Sequence, residues 1–471
     1  IFFFNSCSLG FKNYKKCRQI IIGDFQIQLA QGLVMWQGMS LGKSSDIVIV
    51  KKQEQGLKSY HGMTENGYFR GVAVDCQLKK IKLLTWVSYD AKDASMHNDS
   101  IHGNYFTSIL SDGLHRNSLE ISNKNSIMEF SSGMQWSVKI NQTQLAYNTA
   151  LLIYSHPIII SDKCYQLFYN SGNSFFNHSI SYSGTKRNIN YFGECALNER
   201  NNPAIVNGII SSLDKNLSVS LLHRYYSKGY SSLYRNAFSE NTTNNNEHGL
   251  YLGINYSYSK KISVSSYYDL YHFPWLKYGV DAPSSGMDAA FQFNILFNKT
   301  TNIGLRVQHQ EKEKSITIGD MPQSVLQKIS QNSIRLQFQA SVDRIQLTSR
   351  IDFTRLNQGS SELGILCYLD VTYKPYLKPY SFSIRASLFN SDSYDARLYA
   401  YQSDLPGTYS FASFSGQGEA IYWMLHYRIT SKLNLWTKIS RSLTFTQNAD
   451  FKSTVPIYEA KVQLTYRFGE R

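Results

Sequence analysis

The chain has 471 residues, a net charge of +14 from 48 Lys and Arg against 34 Asp and Glu, and 14% aromatic residues. Only 17% of the residues are charged, below the roughly 25% of a typical soluble chain. The aromatic content excludes a disordered chain. The lack of any apolar run near ~18 residues excludes transmembrane helices. A large β protein, soluble or embedded in a membrane, is what remains.

The first residues carry little information. Residues 1–4 are apolar, but they are too few for a signal-peptide core and no basic stretch precedes them. We therefore expect 1–18 to be the remnant of an incomplete N-terminus, followed by a single domain over 19–471. The six cysteines have no C-x-x-C spacing, which argues against a zinc site. We expect them to be small apolar residues on strands rather than a disulfide framework.

Further along the chain, apolar and polar residues alternate with period two, which is typical of strands with one covered face. Ile351, for example, lies between Arg350 and Asp352. We count about 20 such strands. The clearest stretches, in chain order, are 70–78, 81–89, 216–225, 249–258, 262–270, 287–297, 301–310, 333–341, 344–354, 379–388 and 421–429.

Two kinds of connection join these stretches. Short polar turns are predicted at 79–80, 259–261, 298–300, 341–343 and 430–432, and long polar loops at 227–247, 310–331, 389–394 and 403–418. Tight turns at one rim and long loops at the other predict an all-β, up-and-down antiparallel meander. A meander of this length avoids exposed edges if it closes. Only 116–128 has a helical pattern, and we expect a short helix or a plug segment there.

Three features favour a membrane barrel over a soluble sheet. The alternating stretches run about 9–12 residues, longer than the usual soluble strand. Aromatic residues gather near strand ends, as in interfacial girdles. The last strand carries an apolar face that ends close to the C-terminus, which is typical of a barrel-insertion signal. The girdle candidates are Trp86, Tyr89, Tyr256, Tyr258, Tyr271, Phe273, Trp275, Tyr373 and Tyr376, and the insertion-signal candidates are Val462, Leu464, Tyr466 and Phe468. We therefore predict a large antiparallel transmembrane β-barrel.

Several stretches also resemble a known family when taken in order. They are GDFQIQLAQGLVMW at 23–36, GKS at 42–44, FRGVA at 69–73, FGECA at 192–196, NEHGLY at 246–251, YDLYHFPWLKY at 268–278 and KVQLTYRF at 461–468. In these the chain resembles Bacteroidota outer-membrane β-barrel proteins labelled helix-hairpin-helix, or ComEA-like. The resemblance implies an outer-membrane barrel. The helix-hairpin-helix units behind the label are not found before residue 20, so the resemblance carries no DNA-binding residue to this chain.

Basic residues recur on the polar side of the predicted strands. In a barrel this side is the lumen, since a charge facing lipid costs roughly 2–4 kcal/mol at midplane. They would form an anion-favouring passage or ligand site, or they would be neutralised by Asp352, Asp370, Glu194 and Glu362. Both interpretations stay open. The candidates are Arg306, Arg335, Arg344, Arg350, Arg385, Arg428 and Arg467, together with Lys438 and Lys461.

No catalytic motif stands out, since there is no H-E-x-x-H or G-x-S-x-G and the histidines are scattered. We expect a non-enzymatic protein of the bacterial outer membrane, without a cofactor or metal, that serves solute passage or envelope assembly. The alternatives are a plugged scaffold barrel that docks a partner protein, or a component of DNA uptake. Expected partners are outer-membrane lipids, including lipopolysaccharide, the barrel-assembly machinery and an envelope partner protein. Nucleic-acid binding is not supported by this chain.

Overall fold

Strands dominate the chain, as the alternation predicts. The computed structural model describes residues 5–38, 42–44, 46–62, 66–111, 113, 115–317, 324–448 and 451–468. The strands are β1 Ser8–Tyr14, β2 Cys17–Gln28, β3 Gly56–Ser59, β4 Phe69–Leu78, β5 Ile81–Lys92, β6 Ala94–Asp99, β7 Gly103–Ile109, β8 Ile127–Ile140, β9 Thr143–Ile158, β10 Gly172–Lys186, β11 Ile189–Asn198, β12 Pro203–Ser212, β13 Leu217–Tyr226, β14 Glu247–Ser257, β15 Ile262–Phe273, β16 Ser284–Asn298, β17 Thr301–Thr317, β18 Ser324–Val342, β19 Ile345–Gln358, β20 Ser360–Tyr373, β21 Tyr380–Ser391, β22 Leu398–Gln402, β23 Ser410–Phe414, β24 Gln417–Arg428, β25 Leu433–Asn448 and β26 Phe451–Tyr466.

Twenty-four of these strands belong to one sheet, and β22 and β23 form a separate hairpin. Antiparallel pairing follows chain order from β8 to β13 and from β18 to β21, then through β24, β25 and β26. Short strands interrupt the order near the start, where β2 pairs with β4 and β5 with β8. The predicted all-β antiparallel meander is confirmed, with more strands than the alternation reveals. In the described parts of β1 and β26 no pairing joins these two strands, so closure of the sheet is not observed.

The chain divides into two compact units. Unit 1 comprises Ile1–Ile254, Tyr268–Gly286 and Ser315–Leu326, and unit 2 comprises Asn255–Tyr267, Met287–Lys314 and Gln327–Arg471. The period-two alternation runs through both units and gives no sign of this division. Part of the predicted N-terminal remnant is regular structure, because β1 pairs with β2 inside unit 1.

Two-residue turns join many of the paired strands. Lys79, Asn141, Arg187 and Asp343 open such turns with φ between 52° and 56°, a backbone conformation that suits hairpin turns. The long loop predicted over 310–331 is wrong for most of its length. Strand β17 continues to Thr317 and β18 begins at Ser324, while 318–323 lie outside the described residues. Charged side chains such as Glu311 and Lys312 hide the alternation in this stretch.

Helical structure is sparse in the described residues. The predicted helical segment 116–128 contains α1, Ser118–Ser122, which begins where the Asn117 side chain accepts a hydrogen bond from the Glu120 N–H at 2.8 Å. None of the residues of α1 is buried, and β8 already begins at Ile127, so the helix occupies only part of the predicted segment. No helix in the described part of the chain is long and apolar enough to cross a bilayer.

On many strands a buried face that carries polar and charged residues alternates with an exposed face of apolar residues. In unit 2, Arg350 and Asp352 on β19 are 7% and 5% exposed, whereas Ile351 between them is 46% exposed. In unit 1, Ser88 is buried on β5 and its neighbour Val87 is 53% exposed. We call the two sides of the strands the polar face and the apolar face. A water-soluble sheet arranges them the opposite way, with the apolar face covered.

The residues predicted to form aromatic girdles do not all lie on the same face of the strands. Tyr89, Tyr256, Tyr258 and Tyr376 are exposed, but Trp86, Tyr271 and Phe273 are buried. Trp86 shares the polar face of β5 with Ser88 and Asp90, and its indole N–H donates to Ser131 Oγ at 3.1 Å. Proximity to a strand end does not determine which face a ring occupies, since that depends on the parity of its position along the strand.

One cysteine prediction is wrong. Cys17 on β2 and Cys76 on β4 are cross-strand partners with Cα atoms 3.9 Å apart, and they form a disulfide. The 59-residue separation between them hides the pairing in the sequence. Cys7, Cys164, Cys195 and Cys367 are free thiols. A disulfide indicates an oxidising compartment, such as the bacterial periplasm or cell surface.

Candidate functional site

The polar face of unit 1 is covered by two of the chain's own segments. The first interior segment comprises residues 29–55, apart from 39–41 and 45, which lie outside the described residues. The second interior segment is 227–246. Leu29, Leu33, Val34 and Met35 are fully buried. The sequence predicts a long polar loop for the second segment, and a plug role for 116–128 stays a prediction.

The carboxylate of Glu194 on β11 holds the first interior segment. It accepts hydrogen bonds from the N–H groups of Gln31 and Leu33 at 2.9 and 3.1 Å, and from Ser179 Oγ on β10 at 2.7 Å. A buried backbone segment without regular structure needs such partners for its polar groups. Glu194 therefore anchors backbone, and in the described part of the chain it does not neutralise the predicted arginines.

The two interior segments are joined mainly through backbone groups. Tyr230 Oη and Ser232 Oγ donate to the carbonyl oxygens of Leu33 and Val34 at 2.9 and 2.7 Å, and the Asn236 N–H donates to the Gly32 carbonyl at 2.9 Å. Gly32 has φ +84°, and a Cβ added there would lie 3.1 Å from the Asn236 carbonyl oxygen. Glycine is therefore required where the two segments make their closest approach.

A buried ion cluster lies where the interior segments contact β13, β14 and β15. Arg224 makes a 2.5 Å contact with Glu247 and two hydrogen bonds, of 2.7 and 3.1 Å, with Asp269, and all three side chains are fully buried. Lys43 of the first interior segment reaches the same Asp269 at 2.5 Å and also pairs with Glu240 of the second. Each charge thus has a partner that offsets its desolvation.

Two lysines follow the short helical turn Ile47–Val50 of the first interior segment. Lys51 Nζ donates to Ser183 and Asn190 on the polar face at 2.8 and 2.9 Å. Lys52 Nζ lies 4.7 Å from the ring centroid of Trp36. Burial lowers the pKa of Lys52 to about 8, because desolvation disfavours the charged ammonium.

In unit 2, the hairpin of β22 and β23 packs against the polar face. Leu398, Ala400 and Phe414 of the hairpin form an apolar cluster with Leu366 and Phe389. The sequence predicts a long polar loop over 403–418, but the structure places strand β23 within this range.

Predicted lumen residues hold this hairpin in place. Arg350 donates to the Tyr399 carbonyl at 3.1 Å, and Arg385 donates to the Tyr401 carbonyl. Both arginines also pair with acids, Arg350 with Asp352 and Arg385 with Asp370 at 2.5 Å. The sequence leaves open whether the basic residues bind anions or are neutralised by acids. At Arg350 and Arg385 the structure shows ion pairs with acids.

Asp404, which follows β22, binds two of the remaining basic candidates. Lys438 and Lys461 contact its carboxylate at 3.2 and 3.0 Å. Burial acts to raise the pKa of Asp404, but hydrogen bonds from the Leu405 N–H and from Lys461 together with the charge of Lys438 lower it below its ordinary value. This carboxylate therefore stays charged and holds the segment after β22 to β25 and β26.

The predicted arginines divide into two groups. Arg306, Arg335, Arg350 and Arg385 lie on the polar face of strands, and Arg335 pairs with Asp352 at 2.6 Å. Arg344 is a correction, because it lies in the turn after β18 and is exposed. Arg428 is the exposed last residue of β24, and Arg467 follows the end of β26. The two-residue period assigns a side chain to a face only within a strand. It therefore misplaces these three arginines, which lie in a turn or at a strand end.

The C-terminal strand presents the apolar face that the sequence predicts. Val462, Leu464, Tyr466 and Phe468 are 72%, 60%, 51% and 90% exposed. Phe468 lies beyond the last paired residue, and its ring centroid is 4.6 Å from that of Tyr466. A role in barrel insertion remains a prediction for these four residues.

Sequence reasoning missed Arg224 and Asp269, and it named Glu194 only as a partner for the basic residues. All three are strand residues, and no local pattern identifies their actual partners. One signal for a buried segment without strand structure was available. Residues 29–37 are mostly apolar and contain a glycine, but they do not alternate with a period of two. Among the described residues, no group of three or more His, Cys, Asp or Glu is arranged to hold a metal ion.

Comparison with known proteins gives only distant similarities. No protein-family profile and no curated protein sequence matches the chain. Among solved structures it is similar to the copper transporter OprC, at 8% identity and a TM-score of 0.41 over 86% of this chain and 64% of that one. It is also similar to the ferric enterobactin receptor PfeA of Pseudomonas aeruginosa, at 7% identity and a TM-score of 0.48 over 85% of this chain and 70% of that one. A third similar structure is OccAB2 of Acinetobacter baumannii, at 10% identity and a TM-score of 0.34 over 82% of this chain and 96% of that one.

The chain thus spans slightly less than two thirds of the length of OprC. Similarities at such identities and TM-scores assign no activity, so the function is argued from the chain's own residues.

Proposed function

We propose that the chain is an integral β-barrel protein of the bacterial outer membrane, non-enzymatic, through which passage of polar solutes is restricted by its own interior segments. The proposal thus has three parts, which are the location in the outer membrane, the closure of the sheet into a barrel and the passage of polar solutes. The resemblance to Bacteroidota outer-membrane barrels agrees with it.

The inverted burial of the strands is the observation that carries the proposal. Charged residues such as Arg224, Asp269 and Arg350 are covered, while apolar residues such as Val87 and Ile351 are exposed. In water this arrangement would leave a large apolar surface exposed, which forgoes a burial free energy of roughly 25 cal/mol for each Å². In a bilayer the apolar face contacts lipid and the polar face lines the interior. The disulfide Cys17–Cys76 supports an oxidising compartment.

The covered polar face argues for restricted rather than free passage. In unit 1 the two interior segments occupy the polar face and are held by backbone hydrogen bonds and by the Arg224 cluster. In unit 2 the hairpin of β22 and β23 covers the strands that carry Arg350 and Arg385. A solute would pass only where these elements leave space.

Two measurements on the purified, folded protein test this proposal. Tryptophan fluorescence in vesicles should be quenched by brominated lipid acyl chains, because Trp136 and Trp423 lie on the apolar face, 55% and 37% exposed. In planar bilayers the protein should show a conductance well below that of an open porin. Lack of quenching by brominated lipids removes the membrane assignment, and a large steady conductance removes the restriction.

A plugged scaffold that docks an envelope protein is the second candidate. The tightly bonded interior of unit 1 favours it, because a fully packed interior conducts nothing. Stoichiometric co-purification of a partner after mild extraction, with no detectable conductance, would select this candidate. The remaining expected partners are lipopolysaccharide at the apolar face and the assembly machinery at β26. A role in DNA uptake has no supporting residue in this chain.

A further inference from the structure

A cavity of about 220 Å³ lies on the polar face of β16, β17 and β18 in unit 2. It is on the opposite side of the strands from Ile334 and Leu336, which are exposed on the apolar face. The cavity is smaller than the roughly 300–1,000 Å³ of typical drug-sized sites, so its occupant is small. Polar side chains dominate its lining, which consists of Gln292, Asn294, Asn302, Gly304, Leu305, Arg306, Arg335, Gln337 and Gln339.

The two arginines of the cavity differ in their partners. Arg335 pairs with Asp352 at 2.6 Å, a carboxylate that it shares with Arg350. Arg306 donates instead to the neutral oxygens of Tyr267 and Gln308, at 3.4 and 3.3 Å. In the described part of the chain, no ion pair joins Arg306 to a carboxylate.

Both partners of Arg306 also contact an acid, Asp288. This carboxylate accepts hydrogen bonds from Tyr267 Oη at 3.2 Å and from Gln308 Nε2 at 2.9 Å. Two guanidinium groups, of Arg306 and Arg335, thus belong to the lining, and no carboxylate is among the described lining residues. Arg306 directs its donors at neutral oxygens.

The rest of the lining suits hydroxyl groups. Gln292 Nε2 donates to Asn294 Oδ1 at 3.0 Å, and Asn302, Gln337 and Gln339 add three more carboxamides. A carboxamide both donates and accepts, which is what a hydroxyl group requires of its partner. A guanidinium matches the paired oxygens of a carboxylate or phosphate.

We propose that this cavity binds a small hydroxylated oxyanion, of the class of sugar acids and sugar phosphates. Arg306 and Arg335 contact the anionic group, and the carboxamides of Gln337 and Gln339 contact the hydroxyl groups. The inference deepens the proposed function by naming the solute class that the polar face recognises, and it rests on that function only in placing this face in the interior.

Calorimetric titration of the folded protein in detergent micelles tests the site. The probes are glucuronate, glucose 6-phosphate, neutral glucose and cationic glucosamine. We expect at least one of the two oxyanions to bind, with glucose at least tenfold weaker and glucosamine undetectable. Binding of glucuronate alone or of glucose 6-phosphate alone supports the site and identifies the anionic group as carboxylate or phosphate.

Matched variants separate the site from general electrostatics. Arg306→Gln should weaken the binding of the oxyanion at least tenfold, whereas Arg344→Gln, the same change at an exposed turn, should leave affinity within twofold. Circular dichroism and heat-modifiable gel mobility establish that both variants are folded. Failure of both oxyanions to bind, equal binding of glucose, or full affinity in folded Arg306→Gln overturns the inference. Loss of lipid quenching with intact binding would instead contradict the proposed function alone.

Discussion

Single buried charges determine how the interior of unit 1 holds together. Arg224 is the clearest case, since it is fully buried and forms ion pairs with both Glu247 and Asp269. A buried pair as a whole adds little to stability, but removal of one partner leaves an uncompensated charge.

We expect Arg224→Met to lower the free energy of unfolding by about 3–5 kcal/mol, because two buried carboxylates lose their main partner. Denaturant titration in micelles, followed by tryptophan fluorescence, measures the change. The control is Arg116→Met, which removes a solvent-screened pair with Glu120 and should therefore change the stability little. The double variant Arg224→Met/Glu247→Gln should recover part of the loss, and equal effects of Arg224→Met and Arg116→Met would contradict the role of the cluster.

The pKa of Lys52 predicts a pH effect of defined sign. Its folded pKa of about 8 lies below the ordinary value of 10.5, so between these values the unfolded chain binds the proton more strongly than the folded protein. The stability of the wild type relative to Lys52→Met should therefore be constant below pH 8 and rise between pH 8 and about 10.5. Thermal unfolding midpoints across this range measure the difference.

Lys163→Met, which removes an exposed lysine, corrects that comparison for the general loss of one positive charge. A relative stability of wild type and Lys52→Met that falls as the pH rises above 8 would show that Lys52 is better accommodated charged in the folded protein.

At the scale of elements, the two faces of each strand have opposite tolerances to charge. Period-two alternation identifies most of the long strands and separates their faces, although it missed the short strands and parts of β17 and β18. It could not assign the partners of Cys17, Glu194 or Arg224. Cys76 is 59 residues from Cys17, Gln31 is 163 residues from Glu194, and Asp269 is 45 residues from Arg224. The alternation also fails at Arg344 and Trp86, where a turn or the parity of the position decides the outcome.

Ile351→Arg should lower the yield of folded protein in vesicles, because a charge facing lipid costs roughly 2–4 kcal/mol near midplane. Leu377→Arg is the matched control, since Leu377 is fully exposed in the connection between β20 and β21. The fraction folded is measured by heat-modifiable mobility, in vesicles and in detergent. Equal yields for the two variants in vesicles would mean that the apolar face of β19 does not contact lipid.

At the scale of the whole molecule, long connections are not equivalent. The connections 29–55 and 227–246 are packed on the polar face, while 159–171, between β9 and β10, includes exposed Lys163. The sequence offers all three as polar or irregular links. Whether a link folds back depends on long-range hydrogen bonds that a local pattern does not encode.

Limited trypsin digestion of the protein in vesicles should therefore distinguish these connections. Cleavage is expected after Lys163, whereas Lys51 and Arg235 should be protected, because both lie in the interior segments and bind partners there. Mass spectrometry of the fragments identifies the sites. Rapid cleavage after Lys51 in otherwise folded protein would show that the first interior segment leaves the polar face readily.

The contact between Glu194 and Gln31 also constrains the order of folding. The two residues are 163 positions apart, and Tyr230 and Leu33 are separated by 197. Contacts between such distant residues are slow to form, because a long loop must close first. The most deeply buried stretch of unit 1 is therefore synthesised early but can be fixed only after β11 and the second interior segment have arrived. Until then its apolar residues lack their native contacts, so we expect this stretch to need protection from aggregation while the rest of the chain is made.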